Sequence, residues 1–320
     1  MLDRLFLFLA TAIFSFFLTF ILVRVVEFFH LSQSIRQEGP AAHQSKAGTP
    51  TMGGIAFVLI IISFGLISIN FEFDPRYLAL IILFAGYALI GFLDDAIKVA
   101  KKRNLGLGFW DKIILQTLLA ASFSAFLIIN YHHSLTVQGL LKSIWFTIPA
   151  LYFLLSTIMI VGSANAANLT DGLDGLLGGC ALIAFGAFYV LSNRVITADA
   201  AVFCLISAAA ILPFMFFNFP KARVFMGDVG SLPIGAALAG IAILIHRELS
   251  LIIIGGIFVI EALSVILQVT VFKYFKRRIF RMTPIHHHFE LLGCPENFVV
   301  IGFWLLAVAC GVAGVCIARL

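Results

Sequence analysis

Residues Asn165 to Gly175 read NAANLTDGLDG. Two amides, Asn165 and Asn168, two carboxylates, Asp171 and Asp174, and two glycines, Gly172 and Gly175, share this one stretch between two long hydrophobic runs. Ionisable groups near membrane depth are costly and mark functional sites by default. Asn, Asp and Thr also favour helix starts, but capping needs one such residue rather than four. If a helix begins near Asp171, then Asp171 and Asp174, three apart, share a face, and Asn168 joins them. That polar wall suits a cation, a phosphate-bound metal or sugar hydroxyls.

The rest of the chain explains why such a cluster stands out. Of 320 residues, 62% are hydrophobic and only 12% charged, where a soluble domain carries about 25% charged residues. The composition is that of an all-α, polytopic membrane protein, and its 34 phenylalanines suit lipid-facing helix surfaces. Apolar runs of about 20 residues mark spanning helices. Ten are expected, over 5–28, 52–69, 77–93, 113–130, 144–162, 175–191, 200–217, 231–246, 250–272 and 298–318. They leave no room for a sizeable soluble domain, so residues 1–320 read as one transmembrane catalytic domain. Asn70 to Pro75 (NFEFDP) reads as a short turn or small hairpin. The first run is too long for a signal-peptide core and lacks a cleavage site. The five cysteines have no metal-like spacing and suggest no disulfide framework.

Lys and Arg set the orientation. The odd-numbered loops hold 15 of the 21 basic residues, and the opposite side with the termini holds the other 6. The odd loops therefore face the cytoplasm and both termini face outward. Topology alone accounts for the Lys and Arg. It does not account for five carboxylates, Asp94, Asp95, Asp171, Asp174 and Asp228, at helix ends on that same face. Carboxylates among Lys and Arg suggest a metal-assisted phosphate site, because Mg²⁺ takes oxygen ligands from one or two carboxylates, phosphates and water.

Four more stretches carry chemistry. Asp94 and Asp95 end a hydrophobic helix in GFLDDAIK. Neighbours on a helix point apart, so the two have different tasks, with Lys98 at i+4 a partner for Asp94. MGDVGSLPIG places Asp228 between Gly227 and Gly230 at a helix start, where anions are favoured, with Phe225 able to stack on a planar base. PIHHHFE carries His286, His287 and His288. Three successive histidines cannot all face one ligand from a helix, so a loop offering one or two to a diphosphate is the better reading than zinc. GTPTMGG, with His43 and Lys46 ahead of it, opens the second helix and either shapes a loop over a nucleotide or simply starts the helix at Pro50. Glu261 and Gln268 share a face of the ninth helix, and a structural ion pair is the expectation for Glu261. The basic Lys273–Arg281 segment suits an anionic leaflet surface.

Taken in order, KAGTPTMGG, GFLDDAIK, NAANLTDGLDGL, FMGDVGSLPIG, VIEALSVILQV and PIHHHFE resemble the phospho-N-acetylmuramoyl-pentapeptide transferase family, within the polyprenyl-phosphate N-acetylhexosamine-1-phosphate transferases. The resemblance spans nearly the whole chain. Ala96 and Cys294 stand where the family more often has aromatics. The resemblance implies transfer of phospho-MurNAc-pentapeptide from its UDP carrier to undecaprenyl phosphate, giving lipid I and UMP with Mg²⁺. It implies Asp228 as the magnesium ligand, Asp94 activating or orienting the lipid phosphate, and Asp95 beside it. Asn165, Asn168, Asp171 and Asp174 would be nucleotide-side and sugar-side contacts. Lys46, Asn218, Phe225, Gly227 and Gln268 would form the nucleoside pocket, and His287 and His288 would hold the diphosphate. The attack is either direct or by way of a phospho-aspartate. The family also implies a homodimer in the bacterial inner membrane, with membrane lipid and no nucleic acid as partner. Two rivals are a sister enzyme using UDP-GlcNAc and a transporter with a cytoplasmic anion site. GTPTMGG and PIHHHFE favour the muramoyl-peptide enzyme, and no inverted repeat of the transporter kind is evident.

Overall fold

The computed structural model describes residues 2–28, 48–69, 74–101, 105–132, 135–137, 144–146, 149–193 and 198–318. Lys46, His43 and most of the Asn70–Pro75 turn lie outside them. Among the described residues are twelve helices. The first four are α1 (Leu2–Phe28), α2 (Gly54–Ser68), α3 (Pro75–Ala100) and α4 (Phe109–Tyr131), followed by α5 (Pro149–Thr170), α6 (Leu176–Ser192), α7 (Ala198–Asn218) and α8 (Asp228–Leu244). The last four are α9 (Glu248–Ile254), α10 (Gly256–Phe275), α11 (Ile285–Leu291) and α12 (Glu296–Ile317). Along the apolar runs, a helix satisfies its own backbone, which lipid cannot do for it. Local signals set the ends. Asp74 caps α3 by accepting the Arg76 amide at 2.8 Å, with Pro75 at the first helical position.

Seven of these helices are long and apolar enough to cross a membrane: α1, α3, α4, α5, α7, α10 and α12. The apolar helices α2, α6 and α8 are shorter. The chain is thus a polytopic membrane protein built from helices apart from one short strand pair, and each of the ten expected runs contains a helix. Three local expectations are corrected. Residues 144–146 are not helix but strand β2 (Ile144–Phe146), antiparallel to β1 (Leu135–Val137), with Thr136 opposite Trp145. Helix α5 then starts at Pro149 and runs on to Thr170, because the Ala-rich SANAAN stretch is helix-compatible despite its amides. The ninth run is interrupted at Gly255, which separates α9 from α10.

Helix α8 is the centre of the molecule. Every residue from Val229 to Leu244 is buried, and the helix packs chiefly against α3 and α5. Its Gly and Ala residues permit that approach, as small residues do at membrane helix interfaces. At Gly91 a Cβ would run into the backbone carbonyl of Asp228, so α3 meets the start of α8 backbone to backbone. Helices α1, α10 and α12 are peripheral, with Phe6, Phe17, Ile266, Val269, Phe298 and Leu305 among their exposed apolar side chains. The C-terminal ends of α3 and α5 and the N-terminal ends of α4 and α8 consequently meet at one end of the bundle.

Candidate active site

That end gathers the carboxylates. Asp94 and Asp95, on the last turns of α3, are 3% and 1% exposed, and oxygens of Asp94, Asp95 and Asp228 lie within 4.8 Å of one another. Their tasks differ, as adjacent positions on a helix require. Asp94 turns Oδ1 to the Leu107 amide, 2.9 Å away, and so fixes the α3–α4 connection. Asp95 turns Oδ2 to the Val229 amide at 3.1 Å, across to the first turn of α8. Gly227, which precedes that turn, has φ +77°, and a side chain there would press on the Asp95 carboxylate.

Two lysines neutralise most of this charge. Lys98 Nζ is 2.6 Å from Asp94 Oδ2, 3.2 Å from Asp95 Oδ1 and 3.2 Å from Asp228 Oδ2. Lys112, from the first turn of α4, makes a short ion pair with Asp228 and lies 3.7 Å from Asp94. Asp228 Oδ1 accepts from Asn168 Nδ2 at 2.8 Å, and the same amide reaches Ser231 Oγ at 2.8 Å. Three carboxylates thus face two ammonium groups. The cluster's ligand atoms are oxygens only, at a spacing one ion can bridge, and such a set fits a hard divalent cation such as Mg²⁺.

The stretch from Asn165 to Gly175 is divided differently from the expectation. No helix begins near Asp171; α5 ends at Thr170, a turn follows, and α6 begins at Leu176 with Gly175 at φ +77°. Asn165 lies about one turn before Asn168 and donates to Gln116 Oε1 at 2.7 Å and to Val161 O at 2.8 Å. Asp171 faces the cluster. Burial first, and then the Asp228, Asp95 and Asp174 carboxylates, hold its carboxyl well above the usual range, although a backbone hydrogen bond from Gly227 pulls the other way. Asp174 faces elsewhere: its Oδ2 accepts the Ala222 amide at 2.8 Å, and its own amide donates to Glu296 Oε1 at 2.9 Å. Asn218 ties the same region together, accepting from the Gly175 amide at 2.9 Å and donating to Val224 O at 3.0 Å. Phe225 is half-buried. Its amide donates to Pro50 O and its carbonyl accepts from Gly53, so the GTPTMGG stretch pairs with the segment leading to Asp228.

The three histidines sit on the short helix α11 rather than on the expected loop, and being consecutive on a helix they diverge. His287 Nδ1 is 2.7 Å from Glu290 Oε2, and His288 Nδ1 accepts the Arg281 amide at 3.1 Å. His286 turns inward to Glu261. Gln268 directs its amide to the return loop, accepting from Ile279 and Phe280 and donating to Phe280 O at 2.9 Å.

Of the residues singled out by sequence, the structure therefore brings Asp94, Asp95, Asp171 and Asp228 to one place, together with Asn168. Asp174, Asn218 and Gln268 are instead engaged with backbone groups. Lys112 and His286 belong to the site region but do not stand out in the sequence. Lys112 looks like one more topology-setting charge, and only its place on the first turn after Gly108 hints otherwise. His286 is not separable from its two neighbours without knowing which way α11 faces.

Comparison with known proteins adds a second line of information. The sequence model described as Glycosyl transferase family 4 matches residues 77–246, and signature 1 of the phospho-N-acetylmuramoyl-pentapeptide-transferases matches residues 46–58. The chain is 48% identical to the phospho-N-acetylmuramoyl-pentapeptide-transferase of Bacillus pumilus (strain SAFR-032), over 88% of each chain. It is 47% identical to the protein of that name from Bacillus subtilis (strain 168), over 92% of this chain and 91% of the other. It is also 48% identical to that of Shouchella clausii (strain KSM-K16), over 88% and 87% respectively.

Proposed function

This chain belongs to the phospho-N-acetylmuramoyl-pentapeptide transferases, and from that premise we propose how its carboxylate cluster works. The enzyme transfers phospho-MurNAc-pentapeptide from UDP-MurNAc-pentapeptide to undecaprenyl phosphate, giving lipid I and UMP. The UDP-GlcNAc alternative is not favoured, because the 46–58 signature and the relatives both belong to the muramoyl-peptide enzymes.

One observation carries the mechanistic reading: Asp94, Asp95 and Asp228 converge from two helices with Lys98 and Lys112 laid across them. Asp228, with Asp94 and Asp95 beside it, would hold Mg²⁺, which when bound neutralises charge on the diphosphate. Lys98 and Lys112 bind phosphate oxygens as mobile point charges. Asp94 orients the lipid phosphate. The lipid phosphate oxygen then attacks the phosphorus that bears MurNAc, and the bond to UMP breaks. Attack is direct in this reading, since both oxygens of Asp94 and of Asp95 are already engaged, which makes either a poor nucleophile. Asp171, Asn165 and Asn168 serve the nucleotide and sugar, and Phe225, Gly227, Asn218, Asp174, Gln268 and Lys46 shape the nucleoside side. His287 and His288 serve the diphosphate.

The same reading sets the enzyme in the bacterial inner membrane with ten spans, both termini outside, the site on the cytoplasmic face and a homodimeric assembly. The lipid keeps its tail in the bilayer, since each CH₂ withdrawn costs about 0.8 kcal/mol, so an apolar path beside α10 must lead from the bilayer to Asp94. The test is UMP release from UDP-MurNAc-pentapeptide with and without undecaprenyl phosphate. UMP should appear only with both substrates. A stoichiometric burst of UMP without the lipid would replace direct attack with a phospho-aspartate, and no UMP under any condition would overturn the reading.

A further inference from the structure

On α10, Glu261, Ser264 and Gln268 form one buried polar face. Gln268 holds the 279–280 loop, and Ser264 donates to the Glu261 carbonyl at 2.7 Å. That leaves the Glu261 carboxylate, 0% exposed, with His286 as its partner; the ring is also 0% exposed, and Nδ1 lies 3.1 Å from Oε1. An isolated carboxylate so deep is costly, so the two groups answer each other's need for a partner. The far atoms of the pair, Glu261 Oε2 and His286 Nε2, have no hydrogen-bond partner among the described residues.

The geometry explains where Nε2 goes. A Cβ at Gly172 would collide with it and would also lie 2.7 Å from Cε1. Gly172 is therefore glycine for space: the imidazole edge rests on the backbone of the turn that carries Asp171. Contact runs from α10 through the ring to that turn, with the carboxylate cluster on its other side.

We propose that Glu261 is a positioning residue: it fixes the His286 ring, through Nδ1–H donated to Oε1, so that the ring edge sets the Asp171 turn against the carboxylate cluster. This rests on the transferase reading for its kinetic test, but its structural claim stands separately. A carboxylate that holds one ring nitrogen sets the tautomer, as in many catalytic and metal-ligand histidines.

The test uses the full-length enzyme in lipid or detergent. Glu261→Gln keeps an oxygen for Nδ1–H and should retain kcat within about threefold, whereas Glu261→Leu should lower kcat at least about 30-fold with nucleotide KM moving less than about threefold. In a His286→Asn background, Glu261→Leu should cost little more, since it acts through the ring. Independent multiplicative losses, or a kcat loss in Glu261→Leu matched by unfolding at the assay temperature, would overturn the proposal. A readout independent of turnover is the ¹⁵N spectrum of histidine-labelled enzyme, with His286 assigned by its loss in His286→Asn. Nδ1 should carry the proton in the parent and lose that preference in Glu261→Leu; an Nε2–H ring in the parent would equally overturn the proposal, even if the enzyme turned over normally.

Discussion

Asp171 and Asp228 face the same cluster, and substitution of either should lower activity but with different effects on stability. The native protein holds the Asp171 proton more tightly than an unfolded chain does. The stability this contributes is present below the ordinary carboxylate range and lost as pH rises through the raised value. A carboxamide mimics the protonated acid, so Asp171→Asn should raise Tm in metal-free buffer at about pH 8 and leave it unchanged near about pH 4, while lowering activity. Equal Tm shifts at both pH values would contradict the assignment. Asp228→Asn should fold normally yet lose about 100-fold or more of Mg²⁺-dependent turnover, the scale set by removing one charge-stabilising group. Full rate at limiting Mg²⁺ would remove Asp228 from the cation site. The aspartates were legible in the sequence because a charge in an apolar chain has few structural excuses. Lys112 and His286 were not, because their roles depend on partners 116 and 25 residues away.

At the scale of elements, the site depends on how closely α3 approaches α8. Gly91→Val would place a branched side chain against the Asp228 carbonyl. Overpacking of this kind costs about 1–3 kcal/mol and should displace Asp228 from Asp95. We expect a lower Tm together with a kcat reduced at least about tenfold, whereas Gly302→Val, where the space around the glycine is open, should change neither. The long helices were legible from their apolar runs, whereas α11 was not, because IHHHFEL has no apolar run and reads as a loop. Strand β2 was not, since Ile-Trp-Phe in a short apolar segment suits strand and helix alike. The turn after Thr170 was hidden for a related reason: asparagines and alanines carry α5 beyond the expected end, so the polar residues fall on both sides of a helix terminus.

For the whole molecule, Cys294 gives a test of sidedness. It is exposed in the connection before α12, at the same end as Glu296, which accepts the Asp174 amide. A variant retaining only Cys294 should react with a membrane-impermeant maleimide in inverted vesicles and not in intact cells. Labelling in intact cells would reverse the proposed orientation. The ion pairs described above also bear on biogenesis. Lys98 and Lys112 precede Asp228 in the chain, and both already lie beside Asp94. While the ribosome is still translating the distal half, the nascent α3–α4 hairpin already holds the two lysines that pair with its buried Asp94 and Asp95. Only when α8 arrives does Asp228 join Lys98 and Lys112, so the proposed cation site is assembled from parts made at different times and is finished only as the fold is.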